Sequence, residues 1–128
     1  MALTIFIAED NKLALDSLAE LLVTIADVEI VGSANSEMAA ADWLVSQQRT
    51  WDVLITDLLL LPGGSGFGLI RHAKSFGAFT RVVVFSDFVT PAVAERCVAL
   101  GADAVFKKSD LAQMLDYVRG LAGDAAAG

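Results

Sequence analysis

Asp52-Val53-Leu54-Ile55-Thr56-Asp57 is the stretch on which the reading of the fold turns. Its apolar residues are continuous rather than alternating, and the run is only a few residues long. Such a run suits a strand of a parallel sheet, covered on both faces by other elements. It stops on a carboxylate. Working outward, four similar runs follow the same rule: Leu3 to Ala8, Val28 to Gly32, Arg81 to Ser86 and Ala104 to Phe106. They are rich in Val, Ile and Phe, which fit a pleated, buried surface.

The segments between these runs carry helical periodicity. Ala14, Leu18, Leu21, Leu22 and Ile25 recur at helical spacing in the first, and Leu69, Ile70 and Ala73 do so in the third. The second, Ser36 to Gln48, is alanine-rich and has a less sharp stripe. Thr90-Pro91 predicts an N-cap followed by proline at the first helical position of the fourth. The fifth places Leu111, Met114, Leu115, Val118 and Leu121 on one face, with Ser109 expected as its N-cap. Strand and helix thus alternate five times. Right-handed crossovers then put helices on both faces of a parallel sheet. The expected architecture is a doubly wound (βα)5 α/β fold of the flavodoxin-like kind, strand order 2-1-3-4-5. The domain is expected to occupy residues 1–121, with 122–128 as a flexible C-terminal tail.

Composition narrows the function. The chain has 128 residues, 55% of them hydrophobic, which suits one domain with one core and excludes general disorder. A net charge of −7 argues against direct nucleic-acid binding, which needs a basic face. No apolar run reaches the ~18 residues of a membrane span, and the first residues do not resemble a secretory signal. Cys97 is the single cysteine and cannot form an internal disulfide. A cytoplasmic protein is expected, working as one domain without an appended DNA-binding module and without a membrane partner.

Ligands of such sheets bind at the carboxyl ends of the strands, where strand order reverses between the first and third. Glu9 and Asp10 follow the first strand and Asp57 follows the third, so three carboxyl groups converge. Close like charges repel unless a cation neutralises them, and an all-oxygen set suits Mg²⁺. Ser86 ends the fourth strand with a hydroxyl, and Lys107 and Lys108 end the fifth with ammonium groups. A carboxylate nucleophile, a hard cation, a hydroxyl and an ammonium are the parts needed to move a phosphoryl group onto aspartate.

At this point the chain resembles the response-regulator receiver domains of two-component signalling, specifically the single-domain, chemotaxis-regulator-like type, over residues 3 to 121. The matching segments are Ile7-Ala8-Glu9-Asp10-Asn11, Asp52 to Asp57, Pro62-Gly63-Gly64-Ser65-Gly66-Phe67, Val82-Val83-Val84-Phe85-Ser86 and Gly101 to Lys108. The resemblance implies that Asp57 accepts a phosphoryl group from a histidine kinase or histidine phosphotransfer protein. It implies Mg²⁺ bound by Asp10 and Asp57, with Glu9 acting directly or through water and the Leu59 carbonyl completing the protein ligands. Lys108, rather than Lys107, corresponds to the family lysine that pairs with phosphoryl oxygens. Ser86 corresponds to the switch hydroxyl. The output would be phosphorylation-dependent binding to a downstream protein target, with the domain catalysing its own phosphorylation and dephosphorylation but turning over no other substrate. A homodimer is an open alternative.

Three positions depart from the family pattern. Pro62 lies five residues after Asp57 instead of four, which inserts one residue in Leu58-Leu59-Leu60-Leu61; the extra residue is expected after Leu60. Val105 occupies the usual aromatic switch position, with Phe106 facing the other way. Lys108 is followed by Ser109 instead of proline. Most of the four leucines are expected under the third helix, the alternative being an apolar lip beside the site. Asp10 has the alternative role of N-cap to the first helix. His72 is expected to be a solvated helix residue, Cys97 a core residue, and Trp43 and Trp51 packing residues. A phosphorylation-independent docking module is the alternative function. A phosphatase is disfavoured because Leu59 stands where such enzymes carry a second aspartate, and flavin binding because Glu9 and Asp10 would repel phosphate.

Overall fold

A computed structural model describes residues 2–47, 49–60 and 64–127. The five apolar runs are strands: β1 (Leu3–Ala8), β2 (Val28–Ala34), β3 (Trp51–Thr56), β4 (Phe79–Ser86) and β5 (Ala104–Lys107). The helices between and after them are α1 (Lys12–Ile25), α2 (Glu37–Gln47), α3 (Gly66–Phe76), α4 (Pro91–Leu100) and α5 (Leu111–Ala127). The strands pair in parallel in the order β2-β1-β3-β4-β5, the expected doubly wound topology. Register is set so that Ala8 lies beside Thr56, Thr56 beside Val84, and Ser86 beside Lys107. The carboxyl ends of β1, β3, β4 and β5 therefore finish together.

Successive residues of a strand point to opposite faces, so one continuous apolar run feeds two cores. Phe6, Leu54, Val82 and Val84 pack with Ala40 and Leu44 of α2, Leu69, Ile70 and Ala73 of α3, and Cys97 of α4. Ile5, Ile7, Val53, Ile55 and Val83 pack with Leu22 of α1 and Met114, Val118 and Ala122 of α5. Trp43 and Trp51 extend the first core as packing residues, Trp43 lying 4.4 Å from the Phe6 ring and 5.6 Å from Trp51. Cys97 is fully buried in the same core.

Local signals act as expected at α4, where the Thr90 side chain accepts from the Val93 N–H and Pro91 opens the helix. They act differently at two helix starts. The N-cap of α1 is Asn11, whose side chain accepts from the Ala14 N–H at 3.0 Å, so Asp10 is released from that role. Ser109 does not cap α5; it sits inside a 3-10 turn, Lys108–Asp110, that leads directly into the helix. The segment expected as a tail continues α5 through Ala127, and Ala122 is buried against the sheet. Small residues favour a helix where one of them can close against a neighbour, and alanine is the best helix former. No helix among the described residues is long and apolar enough to cross a membrane.

Candidate functional site

Asp57 follows β3 directly, with its backbone N–H bonded to the Ala8 carbonyl at 3.0 Å, so β1 holds it in place. It is 7% exposed. Its Oδ1 accepts from the Leu58 N–H at 2.7 Å, from the Leu59 N–H at 3.3 Å and from the Ser86 hydroxyl at 2.6 Å. Its Oδ2 lies 2.8 Å from Lys108 Nζ. The same ammonium reaches Glu9 Oε1 at 2.5 Å. Lys107, one residue earlier on β5, is exposed. The two lysines thus separate as strand alternation requires.

Gly66 explains why the chain can turn so tightly after Asp57. A Cβ there would lie 2.1 Å from the Asp57 carbonyl oxygen and 2.8 Å from Leu58 Cα. The Gly66 N–H instead bonds to the Leu58 carbonyl at 2.9 Å. Buried Thr56 adds a hydrogen bond from its hydroxyl to the Asp57 carbonyl at 2.8 Å. With that carbonyl held on one side, the Leu58 N–H faces the carboxylate on the other.

Glu9 is buried and its Oε2 accepts from the Asn11 N–H at 3.2 Å. Burial pushes its pKa upward, and the hydrogen bonds from Lys108 and Asn11 only partly counter this. Lys108 shows the reverse balance. Burial pulls its pKa down, but the Asp57 and Glu9 carboxylates more than offset this, and the net shift is upward. It is a permanent cation between two carboxylates.

Glu9, Asp10 and Asp57 each offer a carboxylate oxygen within 4.8 Å of the others. The donors are hard oxygens, and three carboxylates face one ammonium, a formal surplus that a divalent cation matches. The residues fit a metal ion.

Of the four leucines after Asp57, Leu58 and Leu60 are buried and Leu59 is exposed at 40%. Leu59–Leu60 pairs with Gly64–Ser65 as a short antiparallel ribbon. Leu61, Pro62 and Gly63, and with them the expected place of the extra residue, lie outside the described residues. At β5, Val105 packs toward α4, while Phe106 faces the other core and lies 5.7 Å from the Tyr117 ring.

Two contributors had no sequence signal: Thr56, whose hydroxyl reads as an ordinary strand residue, and Glu37. Glu37 opens α2, yet its Oε1 accepts from the Ser65 N–H at 2.9 Å and its Oε2 lies 3.5 Å from His72 Nε2. His72 is half-exposed on α3, with its Nε2 near Glu37 and its ring stacked on Phe76.

A five-stranded parallel sheet with an acidic triad, a hydroxyl and a lysine at its carboxyl edge defines a receiver. The chain matches the family described as response regulator receiver domain over residues 5–119, and it belongs to that family, the phosphorylatable module of two-component signal transduction. It is similar to the transcriptional regulatory protein DesR of Bacillus subtilis strain 168, at 28% identity over 113 residues. That match covers 88% of this chain and 54% of DesR, so the chain spans about half the length of the curated relatives it matches. Among solved structures, the signal receiver domain of the response regulator NarL from Mycobacterium tuberculosis superposes with a TM-score of 0.81 at 22% identity, covering 95% of this chain and 97% of that one. The signal receiver domain of a DNA-binding response regulator from Colwellia psychrerythraea 34H gives 0.80 at 27% identity, covering 93% and 97%.

Proposed function

We propose that Asp57 accepts a phosphoryl group from a histidine kinase or histidine phosphotransfer protein in a Mg²⁺-dependent reaction, and that the phosphorylated domain signals by binding a protein target. The observation that carries this reading is the meeting of Asp57, Lys108 and Ser86 within direct contact distance beside Glu9 and Asp10.

Asp10 and Asp57 would hold Mg²⁺, with Glu9 directly or through water and the Leu59 carbonyl as the remaining protein ligand. The ion supplies charge neutralisation for the phosphoryl oxygens. A carboxylate oxygen of Asp57 attacks phosphorus; the P–O bond forms as the P–N bond to the donor histidine breaks, and that histidine leaves. Lys108, already beside Asp57 Oδ2, exchanges part of its carboxylate pairing for the incoming oxygens. Ser86, whose hydroxyl now donates to Asp57 Oδ1, turns to donate to one of them. The Leu58 and Leu59 N–H groups keep the carboxylate oriented.

The movement of Ser86 alters packing toward α4 and β5, which provides the route to a target. An acidic surface favours a protein contact there over direct contact with nucleic acid. The transcriptional regulators among the relatives are consistent with a DNA-directed output reached through another segment or partner.

The test is intact mass after incubation with a small phosphodonor, with and without Mg²⁺, using Asp57→Asn as control. A Mg²⁺-dependent phosphoryl adduct absent from the variant is expected. No adduct, together with no Mg²⁺ binding, would replace this reading with a phosphorylation-independent docking module.

A further inference from the structure

We propose that Glu37 is a positioning residue for the metal site: from the start of α2 it pins the loop that carries Leu59 and so sets how tightly Mg²⁺ is held. The inference rests on the reading of Asp57, Asp10 and Leu59 as the Mg²⁺ site.

Leu59 belongs to a ribbon of two-residue strands, in which it lies opposite Ser65. A ribbon that short does not hold itself, since isolated two-stranded pairings are marginal in water. Its fixed points come from outside. Gly66 anchors one end through the Leu58 carbonyl. Glu37 adds a second hold at that same end, accepting the neighbouring Ser65 N–H at 2.9 Å. The second carboxylate oxygen lies 3.5 Å from His72 Nε2, about two turns further along α3.

The sequence around the clasp leaves room for it. A Cβ on Gly68 would lie 2.4 Å from Glu37 Oε2, and one on Gly64 would lie 2.6 Å from Glu37 Cβ. A side chain at Gly64 would press on the base of Glu37, and one at Gly68 would push its carboxylate out of its present place. Ser36 holds the base of the clasp, its hydroxyl accepting the Ala39 N–H at 3.1 Å as the N-cap of α2. Ser65, at the start of α3, is thus tied down by a carboxylate from a different helix. Leu59 links the clasp to the site directly, because its N–H donates to Asp57 Oδ1.

Removing the carboxylate frees the Ser65 N–H and the ribbon with it, so the Leu59 carbonyl no longer waits in place for the ion. Glu37 acts through Ser65 and the ribbon rather than on Leu59 directly; groups bonded straight to a ligand change metal affinity by ~10–100-fold, so the low end of that range is expected here. Glutamine keeps an acceptor oxygen at the same reach, whereas aspartate is one methylene too short.

The experiment is calorimetric titration of the metal-free protein with Mg²⁺, alongside the rate of phosphorylation as a function of Mg²⁺ concentration. Glu37→Ala should weaken Mg²⁺ by about tenfold, while Glu37→Gln stays within about threefold of wild type. At saturating Mg²⁺ the maximal phosphorylation rate of Glu37→Ala should stay within about twofold, since the lost contact acts on ion binding alone. If Glu37→Ala does not fold by its urea transition, Glu37→Asp carries the same expectation. Wild-type affinity in a folded Glu37→Ala, or a loss in Glu37→Gln as full as in Glu37→Ala, overturns the proposal. Wild-type protein that binds no Mg²⁺ at all overturns the proposed function instead, and this inference with it.

Discussion

Lys108 sits between Asp57 Oδ2 and Glu9 Oε1, so one ammonium is shared by two carboxylates and offsets a single negative charge before any other cation arrives. Lys108→Met keeps the side-chain volume and removes the charge. Phosphorylation by a small phosphodonor should slow by about a hundredfold, the usual effect of removing one donor to a developing anion. Calorimetric Mg²⁺ affinity should hold or rise, because a competing cation is gone. Cys97 gives a pH-dependent counterpart far from the site. Burial raises its pKa above the ordinary 9.0, with Arg96 pulling weakly the other way. Below that value the thiol is protonated in both folded and unfolded chains, and its contribution is complete. As pH rises the unfolded chain ionises first, so stability falls through the folded pKa. Urea midpoints in reducing buffer from about pH 8 to 10 should decline more steeply for wild type than for Cys97→Ala. Cys97 is buried as expected, on the α4 face it shares with Val93 and Leu100, while Val98 beside it is exposed. The bridging geometry of Lys108 was not legible in the sequence, because its partners lie at the ends of other strands.

Among the elements, the loop from β3 to α3 is the most constrained. A methyl group at Gly66 meets backbone rather than a flexible side chain, so the Gly66→Ala variant has nowhere to relax. It should lose about 3 kcal/mol of stability, read as a shift of the urea midpoint at constant slope. Helix α5 tests a different expectation. Residues 122–128 read as a tail because they are small, yet α5 runs through Ala127 and Ala122 packs with Met114 and Val118. Truncation after Leu121 should therefore cost about 1 kcal/mol rather than nothing, roughly the burial of one methyl-sized group. The strands were well defined by composition, and their ends moved outward by one or two residues in β2, β3, β4 and β5. Pairing with a neighbour extends a strand past its apolar run, through backbone hydrogen bonds that need no particular side chain.

For the molecule as a whole, the surplus of negative charge at the carboxyl edge of the sheet links ion binding to folding. A ligand that binds only the native state stabilises it by mass action. At Mg²⁺ concentrations about 100 times the dissociation constant, the unfolding free energy should rise by about 2.7 kcal/mol. Asp10→Asn should remove most of that increment, while K⁺ at matched ionic strength should not reproduce it. Denaturant titrations at constant ionic strength separate specific binding from screening.

The sequence by itself determined the alternation of strands and helices, the doubly wound sheet and the carboxylates, hydroxyl and lysine at its strand ends. These follow from periodicity and local chemistry, which a single segment carries within itself. Tertiary structure decided that Lys108 bridges Glu9 and Asp57, that the Ser86 hydroxyl donates to Asp57, and that Glu37 reaches the loop beside Asp57. The partners in these contacts are separated by 28 residues for Glu37 and Ser65, 29 for Asp57 and Ser86, and 99 for Glu9 and Lys108. Strand order and register bring such residues together, and no local pattern records a distance that only the assembled sheet creates.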